Sequence, residues 1–97
     1  MFEFYRPSKR TFSVENPLKQ GQELHLLPPL LETVRRLDAA ETLDDFAVAA
    51  CDMFSRNEEN VTFTAAEIRS NVDYDQLKAF IRAYRRWLVD AAENDPN

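Results

Sequence analysis

The chain has 97 residues, 44% of them hydrophobic and 11% aromatic, and a formal net charge of -5 at pH 7. This length makes one small domain with an ordinary apolar core, and the acidic balance disfavours nucleic acid as a partner because phosphate groups repel an acidic surface. The single glycine disfavours loops that wrap a phosphate, and the single cysteine excludes an internal disulfide.

The cysteine content and the N-terminal residues both bear on location. One unpaired cysteine, Cys51, fits a reducing compartment. Residues 1–7 lack the basic stretch followed by an apolar core that is typical of a signal peptide. No apolar run approaches the roughly 20 residues that a membrane-spanning helix needs. We therefore expect a cytoplasmic protein without a membrane anchor.

The N-terminus predicts a β-hairpin arm. Apolar residues alternate with polar neighbours in two short stretches: Phe2 and Phe4, then Phe12 and Val14. The segment between them, residues 6–10, contains Pro7 at an early turn position. A two-stranded hairpin is marginal alone, so the arm must either pack on its own chain or offer a strand edge to a neighbouring subunit.

The chain after the arm divides into a linker and a helical bundle, all within a single domain over residues 1–97. A proline and the chain's glycine mark residues 15–23 as a linker, and residues 24–27 form a short extended lead-in. The expected boundaries are an arm and linker over residues 1–23, a helical bundle over 24–93 and a frayed tail over 94–97.

Apolar periodicity predicts two helices in the middle of the chain. The first opens at Pro28 and Pro29, where a missing backbone N–H costs nothing, and its apolar face comprises Leu27, Leu30, Leu31, Val34 and Leu37. Thr42 is the predicted N-cap of the second helix, with acidic residues in the first turn that suit the helix dipole. The apolar face of this second helix comprises Leu43, Phe46, Ala47, Ala50, Met53 and Phe54.

Two capping patterns predict the remaining helices. Thr64 and Glu67 form a capping box that starts a short third helix, which ends near Ser70. Asp73 and Gln76 make a similar start for the final helix, which runs to about residue 93. The expected fold is therefore mainly α, with an N-terminal β-hairpin arm followed by a compact bundle of about four helices.

The final helix carries an apolar stripe and a basic stripe. At about 100° per residue, one arc holds the apolar side chains Leu77, Phe80, Ile81, Tyr84, Trp87, Leu88 and Ala91. A neighbouring arc holds the basic side chains Lys78, Arg82, Arg85 and Arg86. The apolar stripe predicts the seam with the first two helices. The basic stripe is either a solvated face, paired with the chain's own acids, or a contact surface for a protein partner.

Aromatic residues are further candidates for a partner surface. Trp87 lies at the edge of the apolar arc, so it either packs in the core or, if exposed beside Arg86, anchors an interface. Phe2 and Phe4 belong to the arm, which leaves them available for contact in the same subunit or in another.

No group of residues indicates catalysis, a cofactor or a metal. His25 has no cluster of ligands at metal spacing around it, so we expect a structural or surface role. Cys51 flanks an apolar helix face and is interpreted as a buried small hydrophobe, since no motif supports a Cys–His nucleophile pair. Two of the three carboxylate pairs stand at predicted helix starts, where acids favour the dipole. We therefore expect a binding protein and not an enzyme.

One binding hypothesis is a small helix-turn-helix DNA-binding protein. A short helix from Ala65, a turn over residues 71–73 and a longer basic helix have lengths that suit this motif. Three features count against it: the turn has no glycine, the domain is acidic, and Asp73 and Asp75 would enter the DNA groove first. Salt-sensitive binding to duplex DNA is the observation that would support it.

The other hypothesis comes from a resemblance that spans most of the chain. The segments that carry it are the hairpin arm, Leu27–Leu30 at the entry to the first helix, Leu43–Phe54, Phe63–Ile68, and Gln76–Ile81 with Trp87. In their order and size these segments resemble the small tail assembly chaperones of long-tailed bacteriophages (siphophages) and prophages.

This resemblance implies a non-enzymatic chaperone that binds the tape measure protein and keeps its apolar helices from aggregating until tail tube subunits polymerise around them. It also implies self-association, contact with the tail tube protein, a location in the host cytoplasm during phage assembly and, often, a longer product of ribosomal frameshifting. The expected partner-binding residues are Lys78, Arg82, Arg85, Arg86, Trp87, Phe2 and Phe4. Another helical adaptor role in a phage or bacterium remains the alternative.

Overall fold

Two strands and four helices follow one another in the computed structural model, which describes residue 1, residues 3–5 and residues 10–94, with side chains through residue 90. They are β1 Phe12–Glu15, β2 Glu23–Leu26, α1 Leu31–Ala39, α2 Leu43–Ser55, α3 Ala65–Asn71 and α4 Tyr74–Asn94. This confirms the expected fold class, a helix-dominated chain with an N-terminal hairpin. Within the described residues, no helix is both long and apolar enough to cross a membrane.

The hairpin uses a different partner strand from the one that the sequence pattern indicates. Phe12 and Val14 lie in β1 as predicted, but β1 pairs antiparallel with β2. Residues 3–5 form no strand, so the prediction that Phe4 belongs to the first strand is wrong. Phe2 and most of the predicted turn, residues 6–9, lie outside the described residues, as does the tail over residues 95–97.

The predicted linker is the loop of this hairpin. Asn16 is buried and organises the loop, because its Oδ1 accepts a hydrogen bond from the Leu18 backbone N–H at 2.8 Å and its Nδ2 donates to Gln22 Oε1 at 2.8 Å. Gly21 has a φ of 85°, a conformation that glycine adopts without strain. A proline and a glycine in this stretch therefore mark a connection between two paired strands.

The second strand is attached to the end of α2 along its other edge. The Leu27 backbone N–H donates to the Arg56 carbonyl at 2.9 Å, and the Glu58 N–H donates to the His25 carbonyl at 3.0 Å. Between these two bonds, Asn57 forms an isolated bridge with Leu26. The hairpin is therefore fixed to the helical part of the molecule through backbone hydrogen bonds as well as through its apolar face.

The core gathers around α2, which packs against all three other helices and β2. The largest fully buried side chains come from four elements, β2, α2, α3 and α4: Tyr84, Leu24, Leu26, Met53 and Ile68. Phe54 stacks on Phe80 of α4 with ring centroids 4.4 Å apart, and it meets Phe63 edge-on at 5.8 Å. The helix that the sequence places second is thus the central element of the fold.

The apolar stripe of α4 packs on α2 and on the hairpin. Phe12 of β1 lies among three of its rings, with centroid distances of 6.0 Å to Phe80, 5.7 Å to Tyr84 and 5.6 Å to Trp87. The expected seam with the first two helices is therefore incomplete, because β1 also packs on this stripe. The side chain of Ala91 lies outside the described side chains.

Helix α1 begins later than its two prolines suggest. The Pro28 carbonyl accepts a hydrogen bond from Arg56 Nε at 2.6 Å, and Leu30 has an extended backbone with ψ 154°, so the helix starts at Leu31. Two consecutive residues of the predicted apolar face, Leu30 and Leu31, are consequently exposed, by 57% and 88%. The buried face of α1 consists of Thr33 and Leu37.

The capping predictions are confirmed. Thr42 caps α2 and accepts from the Asp45 N–H at 3.1 Å, while Asp45 accepts from the Thr42 N–H. Thr64 and Glu67 make the same reciprocal pair at the start of α3. Equivalent bonds join residues 73 and 76 before α4. Side-chain caps therefore define the starts of three helices.

Tyr84 contributes through its ring and not through its hydroxyl. The residue is 1% exposed, and its hydroxyl has no hydrogen-bond partner among the described residues. Burial raises the pKa of this phenol well above its usual range. A hydroxyl that is desolvated without a partner costs free energy.

We therefore expect Tyr84→Phe to leave the free energy of unfolding unchanged or to raise it by up to about 1 kcal/mol. Urea denaturation followed by circular dichroism measures this difference. A loss of more than about 1 kcal/mol would show that the hydroxyl makes a bond that its surroundings do not reveal.

Candidate functional site

A groove of about 550 Å³ lies between the start of α2 and the first three turns of α4. Its apolar surface comes from Leu43, Phe46, Tyr74, Leu77 and Ile81, and its charged rim comes from Lys78, Arg82, Arg85 and Glu41. We call this the α2–α4 groove. Three of the four residues of the predicted basic stripe meet there with apolar side chains of another helix.

The periodicity of α4 places this groove at the border of its two stripes. Leu77 and Ile81 are buried and face the core, whereas Lys78 and Arg82 stand about one residue further round the helix and are exposed. The Thr42 cap fixes the start of α2 beside them. The groove thus has an apolar floor that is continuous with the core and a basic bank on one side.

Two apolar side chains of the groove are exposed to solvent. Leu43 is 61% exposed and Tyr74 is 56% exposed. Each is the first residue of its helix, so no preceding turn covers it. The prediction that Leu43 belongs to the buried face of α2 is therefore wrong, because helical spacing gives direction around the axis but does not show where the neighbouring helix ends.

The basic side chains on the rim differ in the ion pairs and hydrogen bonds that they make within the protein. Arg85 reaches Asp38 at 3.9 Å and donates to the Leu37 carbonyl at 3.4 Å, and Lys78 lies 5.4 Å from the centroid of the Tyr74 ring. Arg82 has no ion-pair or hydrogen-bond partner within residues 10–90, whose side chains are described.

Two arginines elsewhere in the chain, Arg36 and Arg69, pair with acids. Arg36 pairs with Asp52 at 2.6 Å, and Arg69 pairs with Asp44 at 3.0 Å. Because the chain has 17 acidic and 12 basic residues, an unpaired arginine is not explained by a shortage of carboxylates. The positive charge at Arg82 is therefore available to a partner.

The fourth basic residue, Arg86, belongs to a different part of the helix surface. It is exposed, does not line the α2–α4 groove, and has no ion-pair partner among the described side chains. One helical residue separates it from Arg85, which turns it about 100° away. The stripe that the sequence treats as one unit therefore divides into a groove part and a solvent part.

Trp87 lies on the opposite border of α4. It is half-buried against Phe12 and Tyr84, and the Arg10 guanidinium carbon sits 4.0 Å from the centroid of its ring. Arg10 also donates to the Trp87 carbonyl. The structure therefore separates Trp87 from the groove and places it where the chain enters β1.

The aromatic residues of the predicted arm do not join the groove. Phe4 is 86% exposed and is not among the groove residues, and Phe2 lies outside the described residues. Phe46 and Tyr74 are instead the aromatic residues of the groove, and sequence reasoning did not select them. The sequence feature that could have identified them is their position near the start of a helix. Tyr74 directly follows a helix-capping residue, and Phe46 lies about one turn after Leu43.

The single cysteine and the single histidine of the chain have separate partners. The Cys51 thiol donates to the Phe63 carbonyl at 3.0 Å, and partial burial raises the pKa of this thiol. His25 instead pairs with Glu59. Within the part of the chain that the structure describes, no group of three or more His, Cys, Asp or Glu residues could hold a metal ion.

The His25–Glu59 pair joins the hairpin to the loop after α2. His25 Nδ1 lies 2.7 Å from Glu59 Oε2, and the His25 backbone N–H donates to Glu59 Oε1 at 2.8 Å. The hydrogen bond to Glu59 raises the pKa of His25, and the same bond lowers the pKa of Glu59. The pair therefore stabilises the folded state when the imidazole is protonated and the carboxylate is ionised.

The pH dependence of the stability that the His25–Glu59 pair contributes follows from the directions of the two pKa shifts. It is present between about pH 4.5 and 6.5, is lost as the pH rises through the raised pKa of His25, and is lost again as the pH falls through the lowered pKa of Glu59. We expect the native chain to lose stability as the pH rises above about 6.5, and His25→Gln to lack this loss. Denaturant titrations at a series of pH values measure it, and identical pH profiles for the two proteins would contradict the assignment.

No family model matches the sequence, and no curated protein or solved structure matches the chain. An open apolar floor with a basic rim can bind a protein segment that has both apolar and acidic side chains.

Proposed function

We propose that the chain is a non-enzymatic tail assembly chaperone of a long-tailed bacteriophage or prophage. In this role it binds the tape measure protein in the host cytoplasm, assists assembly of the tail tube around it and associates with further copies of itself. The resemblance of its segments to this family supports the proposal, as does a fold of the expected class with a hairpin and four helices.

One observation carries the proposal, and that is the α2–α4 groove. A chaperone of this kind must hold apolar helical segments reversibly, without chemistry. Leu43 and Tyr74 offer exposed apolar surface for such a segment, and the basic rim beside them adds charged contacts. Helix-in-groove recognition uses this combination of surfaces.

Co-expression with the tape measure protein encoded in the same genome tests the proposal. We expect the tape measure protein to be insoluble when expressed alone and to co-purify in soluble form with this chain. The proposal fails if the tape measure protein has the same solubility with and without the chain and the two do not co-purify. An unrelated acidic helical protein of similar size serves as the control for general solubilisation.

The same preparation distinguishes the DNA-binding alternative. The start of α4, which would enter the DNA groove first, exposes Asp73 and Asp75, and their charges oppose contact with phosphate. We therefore expect no salt-sensitive binding to duplex DNA. Tight binding that weakens steeply with salt would favour the helix-turn-helix hypothesis over the chaperone.

A further inference from the structure

We infer that the α2–α4 groove binds an amphipathic α-helix whose apolar stripe is bordered by carboxylates. This inference rests on the proposed function, since it names the chemistry of the client segment that the groove would hold. It goes beyond that function because it specifies which tape measure segments, or other helices, are bound and which are rejected.

The shape of the groove suits a helix. Tyr74, Lys78, Arg82 and Arg85 recur every three or four residues and form one ridge along α4. The ridge spans about three turns, or roughly 16 Å at the rise of an α-helix. The start of α2 forms the opposite bank. A helix of three to four turns can lie between the two banks and pack its side chains into the ridge.

The floor of the groove requires apolar side chains from this helix. Leu43 and Tyr74 expose more than half of their surface, while Leu77 and Ile81 beneath them belong to the core. A leucine or phenylalanine from a partner would cover the first two residues and contact the exposed edges of the others. Removal of this apolar area from water provides the non-specific part of the affinity.

The rim requires carboxylates beside those apolar side chains. Arg82 has no acidic partner within the described side chains, and Arg85 has only a long contact with Asp38. An incoming carboxylate would satisfy Arg82 with two parallel hydrogen bonds, a geometry that guanidinium favours. A basic helix would instead bring like charges together, so the rim both selects acidic clients and rejects basic ones.

A second copy of the chain suits the groove less well. Among the described side chains, the most exposed apolar pair beside a helix that another copy could offer is Leu30 and Leu31, where α1 begins. The acid beside it, Glu32, is already paired with Arg35 and lies 3.8 Å from Arg36. This segment therefore brings apolar surface without a free carboxylate for Arg82.

A pair of designed peptides tests the inference directly. The first is an 18-residue helix with leucine at successive three- and four-residue spacings and glutamate on both borders of that stripe. The second carries lysine in place of each glutamate. In fluorescence anisotropy with the native chain at fixed ionic strength, we expect saturable binding of the glutamate peptide. Binding of the lysine peptide should be at least about tenfold weaker.

Two variants of the chain provide a matched comparison. Arg82→Glu and Arg86→Glu replace exposed residues one turn apart on α4, and both make the same change in net charge. Only Arg82 lines the groove. We expect Arg82→Glu to weaken binding of the glutamate peptide by about tenfold or more and to strengthen binding of the lysine peptide, with less than about twofold change for Arg86→Glu.

Three other outcomes would contradict the inference, each for a different reason. Equal losses in the two variants would indicate general electrostatic attraction. Equal affinity for the two peptides would indicate an apolar site without charge selection. Sedimentation that shows a dimer disrupted by Arg82→Glu but not by Arg86→Glu would assign the groove to a second copy.

The two proposals can fail separately. If the tape measure protein co-purifies with the chain but the glutamate peptide neither binds nor competes, the chaperone function stands and the groove assignment falls. If the glutamate peptide binds with the expected variant pattern but the tape measure protein does not co-purify, the groove assignment stands and the chaperone function falls.

Discussion

Replacing Phe54 with alanine is expected to lower the free energy of unfolding by about 3–5 kcal/mol, a large fraction of the stability of a small domain. Phe54 is 4% exposed, stacks on Phe80 and meets Phe63 edge-on. The truncated side chain would therefore leave a cavity at the point where α2, α4 and the segment before α3 meet. Denaturation by urea, monitored by circular dichroism, measures the loss.

Two further substitutions show whether this cost comes from the cavity. Phe54→Leu fills much of the space but removes the ring contacts, so we expect a smaller loss of about 1–2 kcal/mol. Leu31→Ala removes an equally apolar side chain that is 88% exposed, and we expect a change within about 0.5 kcal/mol. Comparable losses for Phe54→Ala and Leu31→Ala would contradict the position of Phe54 in the core.

Replacing Asn57 with alanine is expected to cost about 2–3 kcal/mol, although the residue lies in a loop. Its Nδ2 donates to the Phe54 carbonyl at 2.8 Å and to the Val61 carbonyl at 2.7 Å, and its Oδ1 accepts from the Val61 N–H at 3.0 Å. The residue is 6% exposed, so water does not readily replace these bonds. Thermal and urea denaturation measure the effect.

Asn71 provides the matched control for this prediction. Its Nδ2 also donates to a backbone carbonyl, that of Glu67 at 2.9 Å, but the side chain is exposed. We expect Asn71→Ala to cost less than about 1 kcal/mol, since water can bond to the freed carbonyl. If both alanine variants lose the same stability, the difference in burial does not determine the strength of these bonds.

Sequence reasoning predicted the parts of the fold that depend on neighbouring residues. Thr42 and Thr64 cap helices because their hydroxyls reach backbone N–H groups three residues on. The periodicity of α4 likewise located its buried face, including Leu77 and Ile81. These interactions are local, so the sequence alone contains the information.

The errors arose where a distant contact decided the outcome. Alternating phenylalanines near the N-terminus suggested a strand, but β1 pairs instead with β2, where Leu24 and Leu26 place a fully buried face on the core. Asn57 stands in a polar run, residues 57–60, that is typical of a loop, and this pattern does not indicate that its bonds to Phe54 and Val61 hold the loop together. Neither local pattern distinguishes these outcomes.

The candidate site could be predicted only in part for the same reason. The basic stripe was identified from helical spacing, but its division between Arg82 in the groove and Arg86 outside it depends on where α2 begins. The apolar half of the groove, with Leu43 and Tyr74, needs the mutual placement of two helices. A single sequence gives the direction of each side chain around its own helix and not the surface across from it.

The contact of Arg10 and Phe12 with Trp87 has a consequence for synthesis of the chain. These groups are separated by more than 70 residues, so the first strand cannot reach its aromatic partners until residues 80–87 have left the ribosome. During translation the Phe12 side of the hairpin must therefore stay uncovered until α4 emerges, although β2 can already pack on α2. Slow translation of the α4 codons would lengthen this vulnerable interval, and the yield of folded protein would report it.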